Sequence, residues 1–152
     1  LSTFMPKEAV FSCFPAKSRK HVLQDVGRAM AKISGQSDRL IFQTLLQRER
    51  LGSTGIGNGI AIPHGTLAGI DQLVGGFFQL AHPVDFEAPD GEPVDLVFVL
   101  LAPEDTGADH LNALGSIARV LRTPGMPEEL RTAHTKDMLH SLLSEASAVV
   151  EG

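Results

Sequence analysis

The chain of 152 residues contains one cysteine, no tryptophan, no tyrosine, and fewer basic than acidic side chains, 13 against 18. Each shortage excludes something. A lone Cys13 leaves no internal disulfide and no cysteine-rich metal site, in keeping with a reducing cytoplasm. A net charge of −5 opposes the counterion-releasing grip that nucleic acid binding requires, so no nucleic acid partner is expected. Base stacking is limited to phenylalanine, and the eight phenylalanines lie mostly in or beside apolar runs, where a core role accounts for them. The longest apolar run, Leu96 to Ala102, is far shorter than a membrane span, and no basic stretch leads into an apolar one near the start. A soluble, cytoplasmic protein without membrane insertion or signal peptide is expected. Neither an internal repeat nor a low-complexity linker divides the sequence, which predicts one domain over residues 1–152.

Hydrophobic periodicity supplies the elements. Ala9 to Phe14 reads as a short extended piece. Ser18 caps a helix in which Val22, Val26, Ala29, Met30 and Ile33 recur at helical spacing up to Gly35. Ser37 caps a second helix with Leu40, Ile41, Leu45 and Leu46 on its apolar side, ended by Gly52. Leu73 to Ala81 and Val94 to Ala102 read as strands, the latter so continuously apolar that both its faces should be covered. Asp85, Glu87, Asp90 and Glu92 mark an exposed connection between them. A third helix fits Asp109 to Arg122 with Thr106 as its cap, and Pro124 and Pro127 break it. Glu128 to His134 and Lys136 to Ala148 read as closing helices, the last with Met138, Leu142 and Leu143 toward the core. Strands interleaved with helices around a two-sided strand predict an α/β layered sandwich, a mixed β-sheet flanked by helices.

What the sequence has in excess is glycine, 15 in all, of which Gly52, Gly55, Gly57, Gly59 and Gly65 fall within one 14-residue stretch. The stretch contains no lysine and lacks the third glycine of the dinucleotide fingerprint, so neither ATP nor NAD is expected. After the strand-like Ile60-Ala61-Ile62 comes Pro63-His64-Gly65, which places His64 at a strand end on a stiff backbone. Neutral imidazole is a competent nucleophile near pH 7. Helix angles single out two further groups. Arg48 lies about 20° from Ile41 and 60° from Leu45, on the inward stripe, whereas Arg50 faces water. His110 shares the stripe of Leu114, Ile117 and Leu121 at the helix start, the end that favours anions. Each alone also fits a structural role, but three basic groups aimed inward from element ends make a joint case for an anion site. Ser53 and Thr54 are candidate hydroxyl donors to a phosphate. His134 and His140 are about 240° apart on a helix and cannot share a metal, and His21 and His82 read as surface residues.

The segment from Arg48 through Gly65, Arg-Glu-Arg-Leu-Gly-Ser-Thr-Gly-Ile-Gly-Asn-Gly-Ile-Ala-Ile-Pro-His-Gly, closely resembles the phosphorylation-site segment of the IIA proteins of the bacterial phosphotransferase system, fructose/mannitol type. It looks most like the nitrogen-regulatory branch, and the likeness continues through Pro93-Val94-Asp95-Leu96, Ala102-Pro103 and His110-Leu111. The resemblance implies a type-2 IIA domain in which His64 accepts a phosphoryl group while His110 and Arg48 stabilise it, with no cofactor and no metal. Thr66 stands where some members have lysine. The implied donor is an HPr-like phosphohistidine carrier of the nitrogen branch, itself charged by an enzyme I that uses phosphoenolpyruvate. The implied role is regulation of partner proteins by phosphorylation state, with potassium-transport regulators and stress-nucleotide enzymes among the targets. The alternative is a sugar-transport IIA that passes phosphate to a IIB domain during fructose or mannitol uptake. With no permease domain attached after Gly152, the regulatory branch is the expectation.

Overall fold

The computed structural model describes residues 4–105 and 107–151, with side chains through Ser147. In chain order the elements are β1 (Val10–Phe14), α1 (Arg19–Ser34), α2 (Asp38–Leu51), β2 (Gly55–Gly57), β3 (Ile60–Ala61), β4 (His64–Leu67), β5 (Val74–Val84), β6 (Val94–Pro103), α3 (Gly107–Arg122), α4 (Met126–Thr132) and α5 (Lys136–Glu151). The strands make one mixed sheet in the order β1-β5-β6-β3-β2, with β4 also paired to β6. β5 runs antiparallel to β6, whereas β3 and β4 run parallel to it.

The apolar run expected at residues 94–102 is the central strand β6, and its alternation explains the layering. Leu96, Phe98 and Leu100 face α3, α4 and α5, packing with Ile117, Val120, Leu130, Leu139 and Leu143. Val97, Val99 and Leu101 face α1 and α2, packing with Val22, Val26, Met30, Ile41 and Leu45. Two-sided burial leaves no polar position on the strand after Asp95. The α1 and α2 caps form as the sequence predicts: the Ser18 and Ser37 hydroxyls accept from the amides of His21 and Leu40 at 3.2 and 3.3 Å.

Several expectations need correction. Leu40 and Met138 are 38% and 54% exposed, because the core is reached by Ile41 and Leu45 on α2 and by Leu139 and Leu143 on α5. Pro127 does not end a helix but begins one: it sits in the first turn of α4, where a missing N–H costs nothing, and α4 stops at Thr132. The glycine-rich stretch holds more strand than the Ile60-Ala61-Ile62 triplet, since β2 and β3 form an antiparallel hairpin through Gly57, Asn58 and Gly59, all at positive φ. The connection after β5 is exposed at its charged positions but is pinned by the fully buried Phe86. The cap expected at Thr106 lies outside the described residues.

β4 approaches α2 closely at one glycine. A Cβ built on Gly65 falls 2.5 Å from Thr44 Cγ2 on α2, so only glycine lets the strand lie this near the helix. Gly65→Ala is expected to lose about 1–3 kcal/mol in denaturant unfolding through overpacking. Thr44→Ser, which removes that methyl, should restore part of the loss, and a double variant no more stable than Gly65→Ala would show that the clash is not its origin.

Candidate functional site

His64 is the first residue of β4, and its place is set by β6. β3 and β4 share one register on that strand, with Ala61 opposite Val97 and His64 opposite Leu100. Between them Ile62 and Pro63 step out of the regular ladder. The Pro63 carbonyl still accepts from Leu100 N–H at 3.0 Å, but the Ile62 amide turns to the Thr54 carbonyl, also at 3.0 Å. The freed Ile62 carbonyl lies 2.7 Å from His64 Nδ1.

On the other side of the ring, Arg48 Nε donates to His64 Nε2 at 3.3 Å, while Arg48 Nη1 donates to the Gly52 carbonyl at 2.8 Å. A guanidinium can only donate, which settles the tautomer: Nε2 carries a lone pair and Nδ1 carries the hydrogen, donated to Ile62. His110, in the first turn of α3, brings its ring to 5.7 Å from that of His64 at an interplanar angle of 72°. Its Nε2 is buried and has no hydrogen-bond partner among the described residues. The structure thus brings Arg48, His64 and His110 together, as their helix angles and the Pro-His-Gly position predict.

Burial is the largest influence on His64 and pulls its pKa below the ordinary 6.5. The Ile62 carbonyl opposes that shift, and the charge of Arg48 and then His110 reinforce it. Burial alone lowers the His110 pKa. Both rings are therefore predominantly neutral at pH 7.

Ser53 and Thr54 are not available as phosphate donors. The Ser53 hydroxyl donates to the Phe86 carbonyl at 2.5 Å, and the Thr54 hydroxyl is turned into the protein, donating to Glu49. His21, His82 and His134 are exposed and away from the site, and His140 lies 3.2 Å from the Met5 carbonyl. One site-shaping residue escaped the sequence reading. Glu49, only 4% exposed, accepts from the Thr54 amide at 3.1 Å and from Arg19 Nη1 at 3.4 Å. The same helix angles that single out Arg48 place Glu49 about 40° from Leu45, and that inward angle was the available signal.

Because the folded pKa of His64 is depressed, its contribution to stability is present above pH 6.5 and is lost as pH falls toward the folded pKa. An NMR titration of the His64 ring is expected to give a midpoint below 6.5. Arg48→Gln should move the midpoint upward without carrying it past the ordinary value, since burial remains. A wild-type midpoint at or above 6.5 would contradict the geometry.

Residues 3–146 match the family model described as the phosphoenolpyruvate-dependent sugar phosphotransferase system, EIIA 2. A nitrogen regulatory protein of Bradyrhizobium diazoefficiens is 44% identical over 144 residues, covering 95% of this chain and 94% of the relative. The crystal structure of the nitrogen regulatory protein IIA-Ntr from Neisseria meningitidis matches with a TM-score of 0.88 at 35% identity, covering 93% of this chain and 97% of that one. A fructose-specific EIIA component of the phosphotransferase system from Haloferax volcanii is 30% identical over 146 residues, 95% of each chain. Over nearly its whole length, then, this chain belongs to the type-2 EIIA family of the phosphoenolpyruvate-dependent sugar phosphotransferase system.

Proposed function

We propose that the chain is a regulatory phosphocarrier, accepting a phosphoryl group on His64 from an HPr-like phosphohistidine carrier of the nitrogen branch and engaging partner proteins in the cytoplasm according to its phosphorylation state. The observation that carries this reading is the His64 Nε2 lone pair, held between the Arg48 guanidinium and the His110 ring. In the transfer the nitrogen–phosphorus bond of the carrier breaks, its imidazole keeps the electron pair, and the Nε2 lone pair forms the new bond. Nδ1 keeps its hydrogen on the Ile62 carbonyl, which stabilises the positive charge that the ring acquires. The Arg48 N–H that now points at Nε2 is placed to turn to a phosphoryl oxygen, and the orphaned Nε2 of His110 gains an anionic neighbour.

The surroundings fit a macromolecular donor. Clefts of about 460, 400, 320 and 270 Å³ open on the surface, and none is lined by Arg48, His64 or His110. Flanking the site residues in sequence are two strongly exposed apolar side chains, Leu51 at the end of α2 and Leu111 beside His110, 86% and 69% exposed. Exposed leucines next to the site residues suit a docked protein surface better than a small enclosed substrate. Among the described residues no helix is long and apolar enough to cross a membrane. The identity to the nitrogen regulatory protein, 44%, exceeds that to the fructose-specific component, 30%, and favours regulation over sugar uptake.

Incubation with phosphoenolpyruvate, enzyme I and the carrier is expected to add one acid-labile phosphoryl group, located at His64 by mass spectrometry. Arg48→Ala should slow the transfer by about a hundredfold, the usual cost of removing one donor from a charge-stabilising site. His64→Ala should abolish it, and undiminished phosphorylation of that variant would sink the assignment. Onward transfer to a IIB domain, coupled to sugar phosphorylation, would decide for the transport reading.

A further inference from the structure

Arg48 and Glu49 are neighbours on the last turn of α2, and both lead to the same ring. Arg48 reaches Nε2 directly. Glu49 reaches Nδ1 through a chain of hydrogen bonds: the Thr54 amide and hydroxyl donate to its carboxylate, the Ile62 amide donates to the Thr54 carbonyl, and His64 Nδ1 donates to the Ile62 carbonyl. We propose that Glu49 is a positioning residue for His64, fixing through Thr54 and Ile62 the carbonyl that holds the ring in the Nδ1–H tautomer. This rests on the proposed role of His64 as phosphoryl acceptor, because only then does the free Nε2 lone pair matter.

The need for such an anchor follows from the local backbone. At Ile62 and Pro63 the strand leaves its ladder, and the Pro63 ring has no N–H with which to be held. The Ile62 carbonyl is therefore aimed by what holds the backbone on either side of it: the Leu100 amide on the Pro63 carbonyl, and the Thr54 carbonyl on the Ile62 amide. Thr54 in turn lies in the short stretch between α2 and β2, where the Glu49 carboxylate takes both of its donors. A carboxylate at 4% exposure is a poor stabiliser compared with an apolar side chain of the same shape. What it adds is directional: two acceptor oxygens, one on Thr54 and the other 3.4 Å from Arg19, lock the entry to the hairpin to the helix that carries Arg48.

The test is the ring itself, read by nitrogen-15 NMR of histidine-labelled full chain at pH 7.5, alongside the rate of phosphoryl acceptance from the carrier. Wild type is expected to show protonated Nδ1 and unprotonated Nε2. Glu49→Gln and Thr54→Val should move the His64 ring toward a tautomer mixture and slow acceptance by roughly tenfold, the scale expected of a misaligned nucleophile. Thr54→Ser, which keeps both donors, should match wild type in both readouts. Folded Glu49→Gln and Thr54→Val proteins with wild-type ring spectra and rates would overturn the proposal. Should Glu49→Gln not fold, Thr54→Val decides, since it preserves the side-chain shape and the Thr54 amide bond. If wild type accepts no phosphoryl group, the functional reading fails, while the ring spectra still decide whether Glu49 sets the tautomer.

Discussion

The hydrogen bond from Arg48 Nε to His64 Nε2 is the constraint around which the site is arranged. It places a permanent cation against a group that becomes cationic on protonation, an unfavourable pairing that burial makes costlier. The result is a ring kept neutral with its lone pair facing the guanidinium. Burial, Arg48 and His110 all oppose a proton on His64, and under the proposed reaction the last two would favour a phosphoryl group there. Of the influences on the ring, only the Ile62 carbonyl favours positive charge, and it acts at the far nitrogen.

Much of this was legible in residue order, for reasons that can be named. Two-sided burial forces a continuous apolar run, so β6 announced itself as the central strand, and caps at Ser18 and Ser37 are local chemistry that no tertiary contact overrides. Arg48 and His110 were found because a helix has a fixed angular period. The Pro-His-Gly position of His64 was conspicuous because proline and glycine restrict the backbone on either side of it.

What escaped was decided by distance in the chain. Glu49 and Thr54 are five residues apart, and whether a hydroxyl faces a ligand or a buried carboxylate depends on how the intervening turn folds. Thr54 as a phosphate donor was reasonable by type, but its hydroxyl was already committed. The turn at Gly57 to Gly59 is held from much farther away, by Asp90 accepting from the Asn58 amide and by Arg131 donating to the Asn58 carbonyl. Arg131 is itself clamped to Asp95 at 2.9 Å, so the hairpin beside the site is tied to both β6 and α4. Leu40 and Met138 show the complementary error, since an apolar residue on the edge of a stripe can fall to either side of the waterline.

The shared register of β3 and β4 on β6 has a mechanical consequence. His64 sits opposite Leu100, a fully buried residue of the central strand, so its backbone moves only if the middle of the sheet moves. Under the proposed reaction, a phosphoryl group arriving there meets a stiff plate rather than a hinge. Any signal it carries under the proposed reaction is therefore written chiefly in charge: the phosphoryl oxygens bring about two negative charges to the surface, and the ring, which keeps its Nδ1 hydrogen, offsets about one of them. Partners that tell the two forms apart must do so through a field that salt damps within about 8 Å, which makes ionic strength a natural volume control on the message.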